Sequence, residues 1–157
     1  MAIQLDAMDL KILETLQKDA RLTNQKLAEE VGLSPSPCWR RVKRLEEQGI
    51  IDRYVTVLSA EPLGLHVTAF LMVSLRDHHA ETVAKFDRLV SEMPQIQECY
   101  ATSGMADYLL KIAVRSMREY EELLIGNLLQ VTGVRTANTS FVLKEHKRTT
   151  ALPLTSA

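Results

Sequence analysis

Arg40, Arg41, Lys43 and Arg44 place four cations within five residues, and residues 34–45 contain no acid. Glu46 and Glu47 follow at once, so the positive charge is local, although the 157-residue chain carries a formal net charge of only −1. A local stripe of this kind suits docking on phosphate oxygens. Spacing divides the cations further. Cys38, Val42 and Leu45 stand at i, i+4 and i+7, the apolar stripe of a helix. With that stripe turned inward, Ser36, Arg40 and Lys43 point most nearly outward. Pro37, Trp39 and Arg44 flank them, and Arg41 lies beside the stripe. An outward arginine on a helix in the major groove can bond guanine bidentately. The flanking Arg41 and Arg44 suit phosphates, which position a protein without reading sequence. Trp39 suits stacking on the sugar–phosphate backbone or partial burial equally well. A basic helix face alone is more often simply solvated, so the neighbouring elements decide between these readings.

Those elements form a pattern. Asp6 reads as an N-cap, with Ile12, Leu13 and Leu16 giving a helical stripe to about Asp19. Thr23 reads as a second N-cap. Leu27, Ala28 and Val31 mark a short helix, and Gly32 reads as its terminator. Asn24 and Gln25 begin that helix, where free backbone amides can bind a phosphate. The turn Val31-Gly32-Leu33-Ser34 leads into Ser34-Pro35-Ser36-Pro37, with Ser36 expected as the cap of the third helix and Pro37 in its first turn. Gly49 ends it. Two helices about a tight Gly-bearing turn, the second one basic, predict a helix-turn-helix that binds double-stranded DNA, with Ser34 on its DNA-facing side. Residues 50–59 are β-rich and predict a strand pair or wing. Pro62 and Gly64 then mark the domain boundary. The expected division is 1–52 for the DNA-binding domain and 53–64 for a strand or linker.

The second half repeats itself weakly. Residues 67–75, 96–103, 108–114 and 134–144 predict strands, and residues 80–93 and 117–130 predict helices. Strand-helix-strand twice over is the ferredoxin-like βαββαβ arrangement, so the fold class is α+β. Its sheet should be antiparallel with helices on one face. Phe70-Leu71-Met72-Val73 is apolar on both sides of the pleat, which calls for cover on the second face as well. A second copy of the same sheet supplies it, so a homodimer is expected. The domain should run over 65–148, followed by a frayed tail at 149–157.

Other chemistries find little support. With 46% apolar and 25% charged residues the composition is ordinary for a globular chain. Cys38 and Cys99 form no CxxC pair, which argues against a disulfide scaffold or zinc ribbon and fits a cytoplasmic setting. There is no signal-peptide pattern and no membrane-length apolar run. GxSxG, P-loop and HExxH motifs are absent. His78 and His79 are adjacent and diverge, while His66 and His146 stand alone, so no metal and no cofactor are expected. The chain does not read as an enzyme.

Across roughly residues 5–148 the sequence resembles the Lrp/AsnC (feast/famine) regulators. The resemblance is carried by Leu5-Asp6…Asp9…Ile12-Leu13…Leu16, Leu27-Ala28…Val31-Gly32-Leu33-Ser34 and Arg40-Arg41-Val42-Lys43-Arg44-Leu45-Glu46…Gly49-Ile50-Ile51. Gly104…Asp107-Tyr108-Leu109-Leu110-Lys111, Leu128-Leu129…Gly133-Val134 and Thr139…Phe141-Val142-Leu143-Lys144 extend it through the second half. It implies a transcription regulator with an ACT-like, amino-acid-binding C-terminal domain. It also implies dimers that assemble further, often to octamers, with a small apolar amino acid such as Leu or Met bound between dimers. By the same resemblance the effector contacts fall on Ala101, Thr102, Gly104, Asp107, Tyr108, Ser140, Phe141 and Val142. A free amino acid is a zwitterion, so Asp107 would face its ammonium and the open Gly104 backbone its carboxylate. The alternative is that Gly104 only permits a turn and Asp107 only caps it. Relatives often carry a second acid in this loop and Thr-x-Thr on the last strand. Here the residues are Gly104-Met105-Ala106-Asp107 and Ala137-Asn138-Thr139. Two other readings stay open: an architectural DNA-binding protein indifferent to amino acids, and a regulatory subunit of an enzyme.

Overall fold

The computed structural model describes residues 4–130 and 133–154, which fall into two compact units. One comprises Met1–Val57 together with Lys147–Ala157, the other Leu58–His146.

The first unit is built on α1 (Ala7–Lys18), α2 (Asn24–Val31) and α3 (Pro35–Glu47). Asp6 caps α1 by accepting the Met8 and Asp9 amides at 2.9 and 2.8 Å, and the Asp9 carboxylate accepts the Asp6 amide in return. Thr23 caps α2 through the Lys26 amide. Gly32 closes α2 at φ 79°, a left-handed conformation that glycine adopts without strain, and the chain turns at once into α3. Ile12, Leu13, Leu27, Ala28, Val31, Cys38 and Leu45 form the core at the meeting of the three helices.

Two expectations change here. Ser34, not Ser36, occupies the N-cap of α3, and Pro35 is the first helical residue. The preset φ of proline and its missing N–H suit that position, so the helix starts as early as the first proline allows and Ser36 falls inside it. Residues 52–59 form no paired strand. Val55, Val57 and Leu58 are exposed, because strand propensity cannot make a strand without a partner. The tail also differs from expectation. As far as Leu154 it lies against the helical unit, with Leu154 packed on the core. Residues 155–157 of the expected tail lie outside the described residues.

The second unit runs β1 (Val67–Leu75), α4 (Ala80–Glu92), β2 (Ile96–Ala101), β3 (Tyr108–Val114), α5 (Met117–Gly126) and β4 (Val134–Phe141). The strands pair antiparallel in the order β2-β3-β1-β4. Alternation along β1 and β3 sends Leu71, Val73, Leu110, Ile112 and Val114 to one face, where Phe86, Tyr120, Leu123 and Leu128 of the helical layer bury them. The second helix stops at Gly126, and a 3-10 turn, Leu128–Gln130, replaces its expected last turn. Glycine is among the weakest helix formers, which accounts for the early stop. The strand ending at Ala101 is shorter than expected because Thr102 is drawn into a loop. The last strand ends at Phe141, and residues 143–146 are exposed.

Candidate nucleic-acid interface and ligand loop

Burial of Cys38 and Leu45 fixes which side of α3 faces out. Ser36, Trp39, Arg40, Lys43 and Arg44 are exposed on it. Arg40 makes no ion pair among the described residues. Lys43 sits 5.1 Å from the centre of the half-exposed Trp39 ring and 3.8 Å from Glu47, so its ammonium is held along the helix face. Asn24 at the start of α2 donates to the Pro35 carbonyl at 2.8 Å, locking the first turn of α3 in place. Gln25 donates to Glu29 within α2, and Ser34 is exposed at the helix start.

Arg41 and Arg44 have a second task. Arg41 donates to Asp6 and Asp9 at 2.7 and 2.8 Å, and Arg44 to Asp9 at 2.5 Å. Asp9 is 1% exposed, and its carboxylate is satisfied by these guanidiniums and the Asp6 amide. The Arg41 hydrogen bond holds the Asp6 carboxyl below the usual carboxylate range. The two acids of the α1 cap thus set the roll of α3 on the core. Their pairing was present in the sequence as two sets spaced three apart, Asp6/Asp9 and Arg41/Arg44, but only helix packing brings them together.

In the second unit, Thr102 closes the loop before β3. Its amide donates to the Asp107 carbonyl and its hydroxyl to the Ala106 carbonyl, both at 2.8 Å. Gly104 lies at the loop tip with φ 128°, where a side chain would be strained, and Met105 beside it is almost fully exposed. Asp107 faces inward to the protein. One carboxylate oxygen accepts the Leu75 amide at 2.7 Å, and the other is 3.2 Å from His78 Nε2. The Leu75 amide first, and His78 second, hold its pKa below the ordinary value. His78, which no motif singled out, therefore belongs to this loop. Ala101 and Tyr108 border it, and the Tyr108 ring packs on Phe86 at 4.5 Å between centroids.

Ser140, Phe141 and Val142 lie elsewhere. Ser140 pairs with Phe70 and shares its face of the sheet, while Phe141 turns to the helices and meets Tyr120 edge-on at 5.0 Å. Phe141, Thr139 and Tyr120 help to line a depression of about 500 Å³ beside α5. The Val142 amide donates to Thr68, whereas the Asp107 amide donates to Val73, five residues further along β1. At about 3.4 Å per residue the two groups are roughly 17 Å apart. One chain does not bring them together. Among the described residues no group of His, Cys, Asp and Glu side chains could hold a metal ion, and no helix is long and apolar enough to cross a membrane.

Residues 5–52 match the family profile for winged helix-turn-helix DNA-binding, and residues 68–152 match that for the Lrp/AsnC ligand binding domain. The chain is 39% identical over 154 residues to the transcriptional regulator AzlB of Bacillus subtilis, covering 98% of each protein. It is 41% identical to the leucine-responsive regulatory protein of Haemophilus influenzae, over 96% of this chain and 90% of that one. Among solved structures it resembles a transcriptional regulator from Neisseria meningitidis in complex with L-Met. The TM-score is 0.92 at 43% identity, with 96% of this chain and 97% of that one covered. It also resembles AsnC of Escherichia coli, at TM-score 0.88 and 26% identity over 96% of this chain and all of that one.

Proposed function

Because the chain belongs to the Lrp/AsnC family of DNA-binding transcription regulators with an amino-acid-binding domain, we propose that it reads operator DNA with the outward face of α3 and responds to a small apolar amino acid, Met or Leu, held between copies of the C-terminal unit. Arg40 is the base-reading residue, with Ser36 and Lys43 beside it. Arg44, Trp39, Ser34 and the start of α2 at Asn24 and Gln25 set the phosphate register. Arg41, the least exposed of the four basic residues of α3, serves chiefly to hold that helix.

The observation that carries the effector reading is the separation of the two halves of the site. The loop at 101–108 and the strand end at 140–142 meet opposite ends of β1, so a ligand touching both needs a second chain. An amino acid bound there couples ligand occupancy to assembly by mass action. The L-Met complex of the Neisseria relative supports methionine as the first ligand to try. Asp107 acts as the strut of the loop through the Leu75 amide and His78, and its remaining acceptor capacity meets the ligand's ammonium.

The test combines two titrations. L-Met and L-Leu are added to the protein on a selected operator duplex, and mobility shift and sedimentation are followed together. A ligand-dependent change in affinity or in assembly mass is expected for one of them. If DNA binding and mass ignore both, and ignore the other eighteen amino acids titrated in the same way, the architectural reading replaces this one. The lone acid of the Gly104–Asp107 loop favours that second reading.

A further inference from the structure

The first unit carries a groove lined by none of the residues assigned above to DNA recognition. It encloses about 540 Å³ between the C-terminal half of α1, Ile50–Val55 and Val57 on one side and Thr150, Leu152 and Leu154 on the other. The chain's own end thus forms one wall of it. The Gln17 side chain accepts the Leu152 amide at 2.6 Å and donates to the Leu152 carbonyl at 3.2 Å. A primary amide thus pairs with both backbone groups of one residue, as a neighbouring strand would. Two residues on, Leu154 packs against the helical core while the Leu152 side chain stays largely exposed. Pro153 between them has no N–H to satisfy and prefers an extended backbone. Ala151 turns on Thr149 through a 3.0 Å bond from its amide to the threonine hydroxyl. The contact is sequence-distant, 135 residues along the chain, and uses three independent features: a two-point backbone clamp, a leucine anchor and a stiff proline between them.

We propose that this groove is a docking site for the chain's own residues 150–154, which form a releasable strap on the DNA-binding unit. The chain passes between the two units twice, near residue 57 and near residue 147. The first passage is the linker. The second comes from the end of β4 and finishes in the strap, on the same α1 whose Asp6 and Asp9 hold Arg41 and Arg44. With the strap seated, the DNA-binding unit is tethered at both ends of the chain; with it released, at one. The grip is small enough to open, since one side-chain clamp and one half-buried leucine together leave on the order of a tenfold preference once the ordering of the tail is offset. The inference rests on the helical unit alone and not on the identity of any effector.

Hydrogen exchange on the full-length protein tests it. The Leu152 amide should exchange about tenfold more slowly than in a free peptide of residues 148–157. Gln17→Ala should abolish that protection, and Leu154→Asp should abolish it and also speed exchange at the Ile50 and Ile51 amides, which are bonded to the Leu45 carbonyl. Unchanged exchange in α2 and α3 would show that both variants remain folded. A labelled peptide of residues 148–157 should bind a chain ended after Lys147 and should bind the intact chain at least about tenfold more weakly. A Leu152 amide that exchanges at the free-peptide rate overturns the strap, as does protection indifferent to Gln17→Ala. Protection lost on dilution to monomer also overturns it, because the tail would then occupy a neighbouring copy's groove.

Discussion

Arg40 and Arg41 are adjacent, yet their surroundings give them opposite duties. Arg40 projects from α3 without an ion pair among the described residues, whereas Arg41 is tied to Asp6 and Asp9. Arg40→Ala should therefore weaken specific DNA binding by about 1–3 kcal/mol and relax base preference, with little change in unfolding midpoint. Arg41→Ala should cost about 1–3 kcal/mol of stability, because it removes a donor from a buried carboxylate. Mobility-shift titration and urea unfolding of both variants check the contrast; equal losses in both assays would contradict it. Acid acts on the same cluster. The folded-state pKa of Asp6 is depressed, so its contribution to stability is full above the unfolded value of about 3.9 and is lost as pH falls through the lower folded value. Asp6→Asn should flatten the stability curve below about pH 4 and leave its shape near neutrality unchanged, as urea midpoints across pH will report. The outward set on α3 was legible because a helix with one buried stripe has only one free face. The Asp9 clamp was not, because periodicity orders residues within a helix and says nothing of the roll of one helix on another.

At the scale of elements, periodicity located the helices and strands of both units, and with them the βαββαβ order. It failed where an end or a pairing depends on something outside the element. The β-rich residues 52–59 have strand propensity and no partner among the described residues, and the last helix stops at a glycine that its apolar pattern runs past. The loop before β3 is a third case. Its Gly and Asp were visible in the sequence, but the Leu75 amide and His78 that occupy Asp107 come from the last residue of β1 and the segment after it. Asp107→Ala would leave that amide without its acceptor and free the turn leading to α4. A loss of about 1–3 kcal/mol from the C-terminal unit is expected, together with faster exchange at Leu75. If exchange at Leu75 is unchanged, the strut role assigned to Asp107 is wrong. His78→Ala should have a smaller effect, since its bond is longer and largely solvent-exposed.

Assembly belongs to the whole molecule, and the sheet face away from the helices bears on it. Phe70, Met72, Leu109 and Tyr100 share this face with the Lys111–Glu98 ion pair, which closes at 2.8 Å. Phe70 remains 37% exposed in the middle of an otherwise well-ordered sheet. A central strand with apolar residues on both faces needs two covers, and α4 and α5 supply only one. The homodimer expected from the sequence would supply the second cover: another copy of the sheet would offer the same stripe to itself under two-fold symmetry, and aromatic and aliphatic groups would meet across the axis. Phe70→Glu places two like charges against each other there. It should convert a dimer to a monomer at micromolar concentration while leaving the Phe86 and Tyr120 core intact, as sedimentation equilibrium and circular dichroism will show. The same variant should lose any response to an amino acid, because the loop at 101–108 and the strand end at 140–142 are separated by five residues of β1 and cannot share a ligand within one chain. A Phe70→Glu protein that still sediments as a dimer would move the subunit contact to another surface. One that is monomeric and still answers to an amino acid would confine the ligand to a single chain.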